Sequence, residues 1–400
     1  MRAWTRRAVA VLALTMLTVS MARAAVITVG SGDEYATLSA ALPFANPGDT
    51  IEVAAGTYLE EEDVITTPYL TIEGVGGLAV FDHTADSIGN RQGILVVSVP
   101  IIIENMEFLG ASVPDANGAG IRVKAGGVVT VDNSEFVNDQ DGILGDSDPS
   151  ISITVNNSSF IGDGAACSGF AHGLYAAGGS SLTVNGDLFE NTCVGHDIQS
   201  RAATTTVLDS VFDECSLAST TSYQVNVANG GVAVIEGNQF CKGPNAQNEK
   251  FISYDPGGYL YSTNSLTVED NSFVGPPNLY DPTPPYPIGI GGPTIGVYNF
   301  SNIHNPSDPI VADVEDNTFT CVAEDTGGSA TLSGNVSYPC PEPGTLSLIA
   351  PPVLWCFMLR RKTAWATFRP RVLAKAWRAV LRYAQAAGRS MGRCAATLPA

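Results

Sequence analysis

The chain has 400 residues and a formal net charge of −20, but the charge is segregated: residues 25–340 hold 39 acids and six bases, a local charge of −33, while residues 344–400 hold ten bases and no acid. A body with that field repels nucleic-acid phosphates, which excludes DNA and RNA as partners. An apolar content of 44% excludes disorder, and 41 Gly with few helix-forming charged residues argue against a helical bundle.

Residues 1–24 read as a signal peptide. Arg2, Arg6 and Arg7 precede an apolar run from Ala8 to about Met21, and Ala22-Arg23-Ala24 supplies a small-residue cleavage site. Six of the eight cysteines lie in the body: Cys167, Cys193, Cys215, Cys241, Cys321 and Cys340. None has CxxC spacing, which speaks against zinc, and an even number in an exported chain suits disulfides. Cys167–Cys193 and Cys215–Cys241 are each 26 residues apart, about one repeat, and Cys321–Cys340 would be a local clasp.

One unit recurs through the body: Val or Ile, then Phe five positions later, with Asn, Asp or Gly between. Its instances are Ile103–Phe108, Val131–Phe136, Val155–Phe160, Val184–Phe189, Val207–Phe212, Ile235–Phe240, Val268–Phe273 and Val314–Phe319. Successive Phe lie 28, 24, 29, 23, 28, 33 and 46 residues apart. A period of this length, built from β-formers and polar turns without a leucine ladder, indicates a β-solenoid. The expected fold is all-β, a single-stranded parallel β-helix over 25–340 with about ten rungs. Val/Ile and Phe stack inside, rungs are spaced by about 4.8 Å, and the Asn or Asp before Phe takes a left-handed bend.

Residues 26–74 resemble the entrance of pectin-lyase-like right-handed β-helices, with a short capping helix near Ala36–Ala45 and GDTIEVAAGTYLE as the first full rung. A cap is physically required, because a bare solenoid end exposes strand edges and core. The resemblance implies a right-handed coil. Members of this fold include lyases, epimerases and glycoside hydrolases of polysaccharides.

A second strand per rung aligns on Ile121, Ile143, Leu174, Ile198, Val225 and Ile252, which point inward; period-2 alternation sends their immediate neighbours outward. The alignment stacks His172 on His196, with Asp141 below and Tyr223 above. Beside them run Arg122, Leu144, Tyr175, Gln199 and Asn226, and beyond those Lys124, Asp146 and Arg201. Four of the six bases in the body fall on this one ladder: Arg122, Lys124, Arg201 and Lys250. Removing the proton beside a uronate carboxylate requires a cation to neutralise the carboxylate, a base, and an acid for the leaving oxygen. His172, Tyr175, His196 and Arg201 are the candidate catalytic residues. Arg122, Lys124, Gln199, Tyr223 and Asn226 are the candidate substrate-binding residues. No metal-ligand set is recognised. Ca²⁺ would be an alternative neutraliser, with Asn138–Asp141 and Asp146–Asp148 as the acidic runs to hold it. The plainer readings are that the histidines bond the turn and that Arg201 pairs with Asp146 or Asp197. Further on, Tyr254, Tyr259, Tyr261, Tyr280, Tyr286 and Tyr298 crowd a Pro-rich insertion, which reads as a cover for the end of the coil or a sugar-stacking lid.

Pro341-Glu342-Pro343, an apolar stretch from Gly344 to Leu359, and Arg360-Arg361-Lys362 follow in that order, so that 341–362 resembles the PEP-CTERM sorting signal of Gram-negative bacteria. The resemblance implies processing by an exosortase as well as a signal peptidase. It also implies transient membrane contact and a destination at the cell envelope, cell surface or extracellular matrix. Residues 363–400 form a basic tail carrying Trp365 and Trp377, either an interfacial helix or an extension without a role. Two functions remain open: a lyase or epimerase of an acidic glycan, implied by the resemblance, and a non-catalytic matrix protein or adhesin, a rod about 50 Å long at the rung spacing.

Overall fold

The computed structural model describes residues 24–276 and 295–338, apart from 166–170, 217–218, 305, 308 and 323. The expected signal peptide, sorting signal and basic tail lie outside these residues, save Ala24, as do Cys167, Cys340, Tyr280 and Tyr286. Within them the chain is a parallel β-helix. One sheet has ten strands, from Glu324–Gly327 at one end to Asp63–Ile65 at the other, and a second network of 21 strands forms the remaining walls. Each rung bonds to the next in parallel register, so backbone donors and acceptors are satisfied between turns of the coil.

The repeated unit explains the wall. Its first residue and its Phe point inward and the residues between turn the corner. The third residue takes positive φ in all eight units: Asn105, Asn133, Asn157, Gly186, Asp209, Gly237, Asp270 and Asp316. Only Gly, Asn and Asp enter that region at low cost. The fourth residue then points inward and ties the rungs together. Ser134 N–H donates to Ser158 Oγ, Ser158 N–H to Asp187 Oδ1, Asp187 N–H to Ser210 Oγ, and Ser210 N–H to Asn238 Oδ1. Asn238 N–H donates to Asn271 Oδ1 and Asn271 N–H to Asn317 Oδ1, both at 2.9 Å. The eight predicted Phe are all buried and pair in register from rung to rung. Neighbouring rings lie 4.6–5.2 Å apart and nearly parallel. Phe81 extends the column edge-on, at 6.2 Å from Phe108.

The cap is an α-helix at Leu38–Ala41 followed by a 3-10 turn at Leu42–Phe44, shorter than the expected Ala36–Ala45. Thr37 Oγ1 caps it by accepting from Ala40 N–H, Pro43 ends its hydrogen-bond ladder, and Leu38 and Ala41 close the core. Cys215 and Cys241 form a disulfide across one rung, with Cα atoms 5.2 Å apart. Cys193 and Cys321 are disulfide-bonded too, and the partners expected for them lie outside the described residues.

Candidate functional site

The expected alignment of the second wall matches the register: Ile121 pairs with Ile143, Ile143 with Leu174, Leu174 with Ile198, Ile198 with Val225, and Val225 with Ile252. The alternation does not hold in full. Residues just before these apolar positions were expected outward, yet Asp197, Gln224 and Phe251 are buried, and Gly120, Gly142 and Gly173 face the Phe column. The strand starts at a bend that curls over the Phe rings. A Cβ on Gly120 would stand 2.8 Å from Phe136 Cδ1, and one on Gly142 2.7 Å from Phe160 Cδ1.

The aromatic ladder forms at that bend. His172 and His196 stack with ring centroids 5.0 Å apart, and Tyr223 follows at 5.2 Å. Side-chain acceptors run through it. Asp141 Oδ1 accepts from His172 N–H at 2.9 Å, His172 Nδ1 from His196 N–H at 3.0 Å, and His196 Nδ1 from Tyr223 N–H at 3.3 Å. An imidazole nitrogen that accepts must keep its lone pair, so in the neutral ring the proton sits on Nε2. Burial first, and then the Arg201 charge, pushes the His172 imidazole down to about 4; burial, then His172 and Lys242, pushes His196 well below the usual range. Both rings are therefore neutral at neutral pH. His172 is only 2% exposed, whereas His196 is half-buried.

Tyr175 and Arg201, both half-buried, meet on the outer surface of the wall. Arg201 Nε donates to Tyr175 Oη at 3.0 Å, and Nη1 donates to Asn229 Oδ1 at 2.6 Å. Tyr175 also packs edge-on against His172, centroids 5.1 Å apart. The plainer expectation of an ion pair with Asp146 or Asp197 is not met: among the described residues no carboxylate lies within ion-pair distance of Arg201. Asp146 is already taken, holding Arg122 Nε at 2.9 Å and Lys124 Nζ at 2.7 Å. Lys250 is engaged by Glu249. The cationic ladder read from sequence is thus mostly neutralised, and Arg201 is its exception.

Gln199 and Asn226 continue the Tyr175 column, but they are only 8% and 5% exposed and present little surface to a ligand. Tyr261, from the tyrosine-rich insertion, donates to the Arg201 carbonyl at 2.5 Å. Tyr254 instead belongs to the core, bonding Gly231 O at 2.6 Å. Behind His196 and Tyr223 lies a buried cluster that the sequence reading missed: Asp197, Glu214 and Lys242. Lys242 Nζ donates to Ser222 O at 2.5 Å and so anchors the residue before Tyr223. Burial lowers Lys242 to about 8, and burial raises Asp197 to about 6. Neither Asn229 nor Lys242 carries a motif signal; each reaches the site from another rung. The acidic run 138–141 does not suit Ca²⁺, because Asp139 and Asp141 point into the coil. Among the described residues no three His, Cys, Asp or Glu stand together as a cation site.

A family model described as the right handed beta helix region matches residues 90–273. No curated protein matches the chain. Solved structures similar to it include an alginate lyase from Paenibacillus sp. str. FPU-7, at 17% identity and TM-score 0.41, covering 80% of this chain and 97% of that one. The PL6 family alginate lyase AlyGC follows at 14% identity and TM-score 0.34, covering 80% and 53%. A pectin methylesterase from Aspergillus niger matches at 11% identity and TM-score 0.30, covering 78% and 85%. Likeness at these identities concerns the right-handed β-helical fold alone.

Proposed function

We propose that the protein is exported to the cell envelope or its surroundings and there modifies an acidic polysaccharide as a lyase or epimerase. The observation that carries this reading is Arg201, a half-buried guanidinium with no carboxylate partner among the described residues, on a body of charge −33. Such a cation is costly to leave unpaired, and a uronate carboxylate matches its planar donor geometry. With the carboxylate neutralised, the C5 proton becomes removable. His196 is the base, because it is half-buried and its Nδ1 is held more loosely than that of His172; taking a proton on Nε2 requires its own proton to move to Nδ1, which releases the Tyr223 N–H from that nitrogen. His172 positions His196 from below. The Tyr175 oxygen accepts from Arg201, which leaves its own O–H free to protonate the leaving oxygen in the lyase reaction.

A second reading, a non-catalytic glycan-binding matrix protein, is favoured by the pairing of Arg122 and Lys124 with Asp146 and by the burial of Gln199 and Asn226. The test is incubation with alginate, pectate and acidic exopolysaccharides, following ultraviolet absorbance of the unsaturated product and proton exchange at C5. Turnover that falls at least about a hundredfold in Arg201→Ala, the size expected when one electrostatic contact to the transition state is lost, supports the enzyme. Retention on immobilised glycan without turnover, lost in Arg201→Ala, supports the matrix protein. Neither turnover nor retention sinks both.

A further inference from the structure

Two bends of the coil carry buried acids that the candidate site does not use. After the Phe strands the chain turns through left-handed residues, Asn138 (φ 54°) and Gly162 (φ 70°), and the next residues, Asp139 and Asp163, point inward and are fully buried. Asp139 Oδ1 accepts from Ala111 N–H at 2.6 Å and Asp163 Oδ1 accepts from Asp139 N–H at 2.9 Å, so each carboxyl ties its rung to the one before. Their second oxygens have no hydrogen-bond partner. Asp141 faces the pair from the strand Asp141–Gly145, its own Oδ2 also unpartnered, while its Oδ1 holds His172 N–H. Arg122 is the cation acting on Asp141, and it is engaged by Asp146. Among the described residues neither a cation within ion-pair distance nor a metal-holding group offsets Asp139 or Asp163.

The corner on the other side of the Phe strand solves the same task with amides. Asn238, Asn271 and Asn317 each accept a backbone N–H from the rung before and donate through Nδ2 to a backbone carbonyl. A protonated Asp resembles Asn in shape and in being uncharged, with one donor beside its acceptor, whereas an ionised one has only acceptors and a charge that burial disfavours.

We propose that Asp139 and Asp163 form a protonation lock in the coil: as neutral carboxyls they hold three rungs together, and ionisation of either loosens the corner that carries Asp141 and His172. Burial, reinforced for each by its acidic neighbours, holds both well above the ordinary carboxylate range. The sign follows. Below the unfolded value of 3.8 both states are protonated and the lock is complete. As pH rises past it, the unfolded chain releases protons that the folded chain keeps, so stability falls until the folded groups ionise.

The test uses Asp139→Asn and Asp163→Asn, singly and together, in the exported protein. Wild type should lose melting temperature between about pH 5 and about pH 8 more steeply than the double variant, in which the lock no longer titrates. At neutral pH wild type should also show the infrared carbonyl stretch of protonated carboxylic acids, reduced in each single variant and further in the double. If the double variant does not fold, the single variants and the infrared band decide. Parallel melting profiles, or a band that the substitutions leave unchanged, would overturn the proposal.

Discussion

His172 shows how one side chain acquires several duties in a stacked fold. Its amide is held by Asp141, its Nδ1 holds the amide of His196, and its ring supports both His196 and Tyr175. Truncation in His172→Ala orphans a partly buried N–H, at a cost of about 1–3 kcal/mol, read from urea midpoints at neutral pH. Burial of the same ring, and then the Arg201 charge, set the acid limit. The folded imidazole is pushed down to about 4 from 6.5, so its contribution is complete above the unfolded value and is lost as pH falls through that window. Wild type should therefore weaken between about pH 6.5 and about pH 4 by more than His172→Ala does, and equal slopes in the two would refute the ladder's role. The stacking of His172 on His196 was legible in sequence because the two share one offset within their rungs. What Asn229 does to Arg201 was not, since 28 residues separate the two and no local pattern links them.

At the scale of the element, the unit of an apolar residue, a left-handed bend two residues on, an inward polar tie after it and a Phe at the sixth position specifies a corner almost by itself. The bend demands Gly, Asn or Asp, and the Phe fills an interior column of stacked rings. In Phe189→Ala the ring stacked between Phe160 and Phe212 is lost. The expected destabilisation is about 3–5 kcal/mol, measured by chemical denaturation, with Phe189→Leu costing clearly less. A similar loss in both would mean that the ring stack matters more than the volume it fills. Phe81 escaped the five-residue rule for a structural reason. It ends the long strand Leu70–Asp82, where Gly76 at φ 81° opens a wider bend and pushes the Phe further from its Ile.

Across the whole molecule, contacts run almost entirely between neighbouring rungs, so a crosslink between rungs acts on the stretch it spans. The Cys215–Cys241 disulfide closes a loop of 26 residues beside the Glu214–Lys242 cluster. Removing it in Cys215→Ser with Cys241→Ser should cost about 3 kcal/mol, with larger gains in hydrogen exchange at 215–241 than at the capped end. Uniform exchange along the coil would show instead that the rungs unfold as one unit. The last described rung leaves Leu332, Val336 and Tyr338 exposed, and among the described residues no helix follows it.

Period, offset and turn chemistry determined from sequence alone that this chain is a parallel coil, which Phe residues stack, and which wall residues share a register. Each of those properties repeats locally, and in-register stacking multiplies a local preference along the axis. Only the tertiary structure decided that Asp139 and Asp163 point inward, that Asp146 takes both Arg122 and Lys124, and that Arg201 has Asn229 and Tyr175 in place of an acid. Those outcomes depend on ångström distances across separations of 22–28 residues, and on burial, which changes the cost of a charge without changing the pattern that places it.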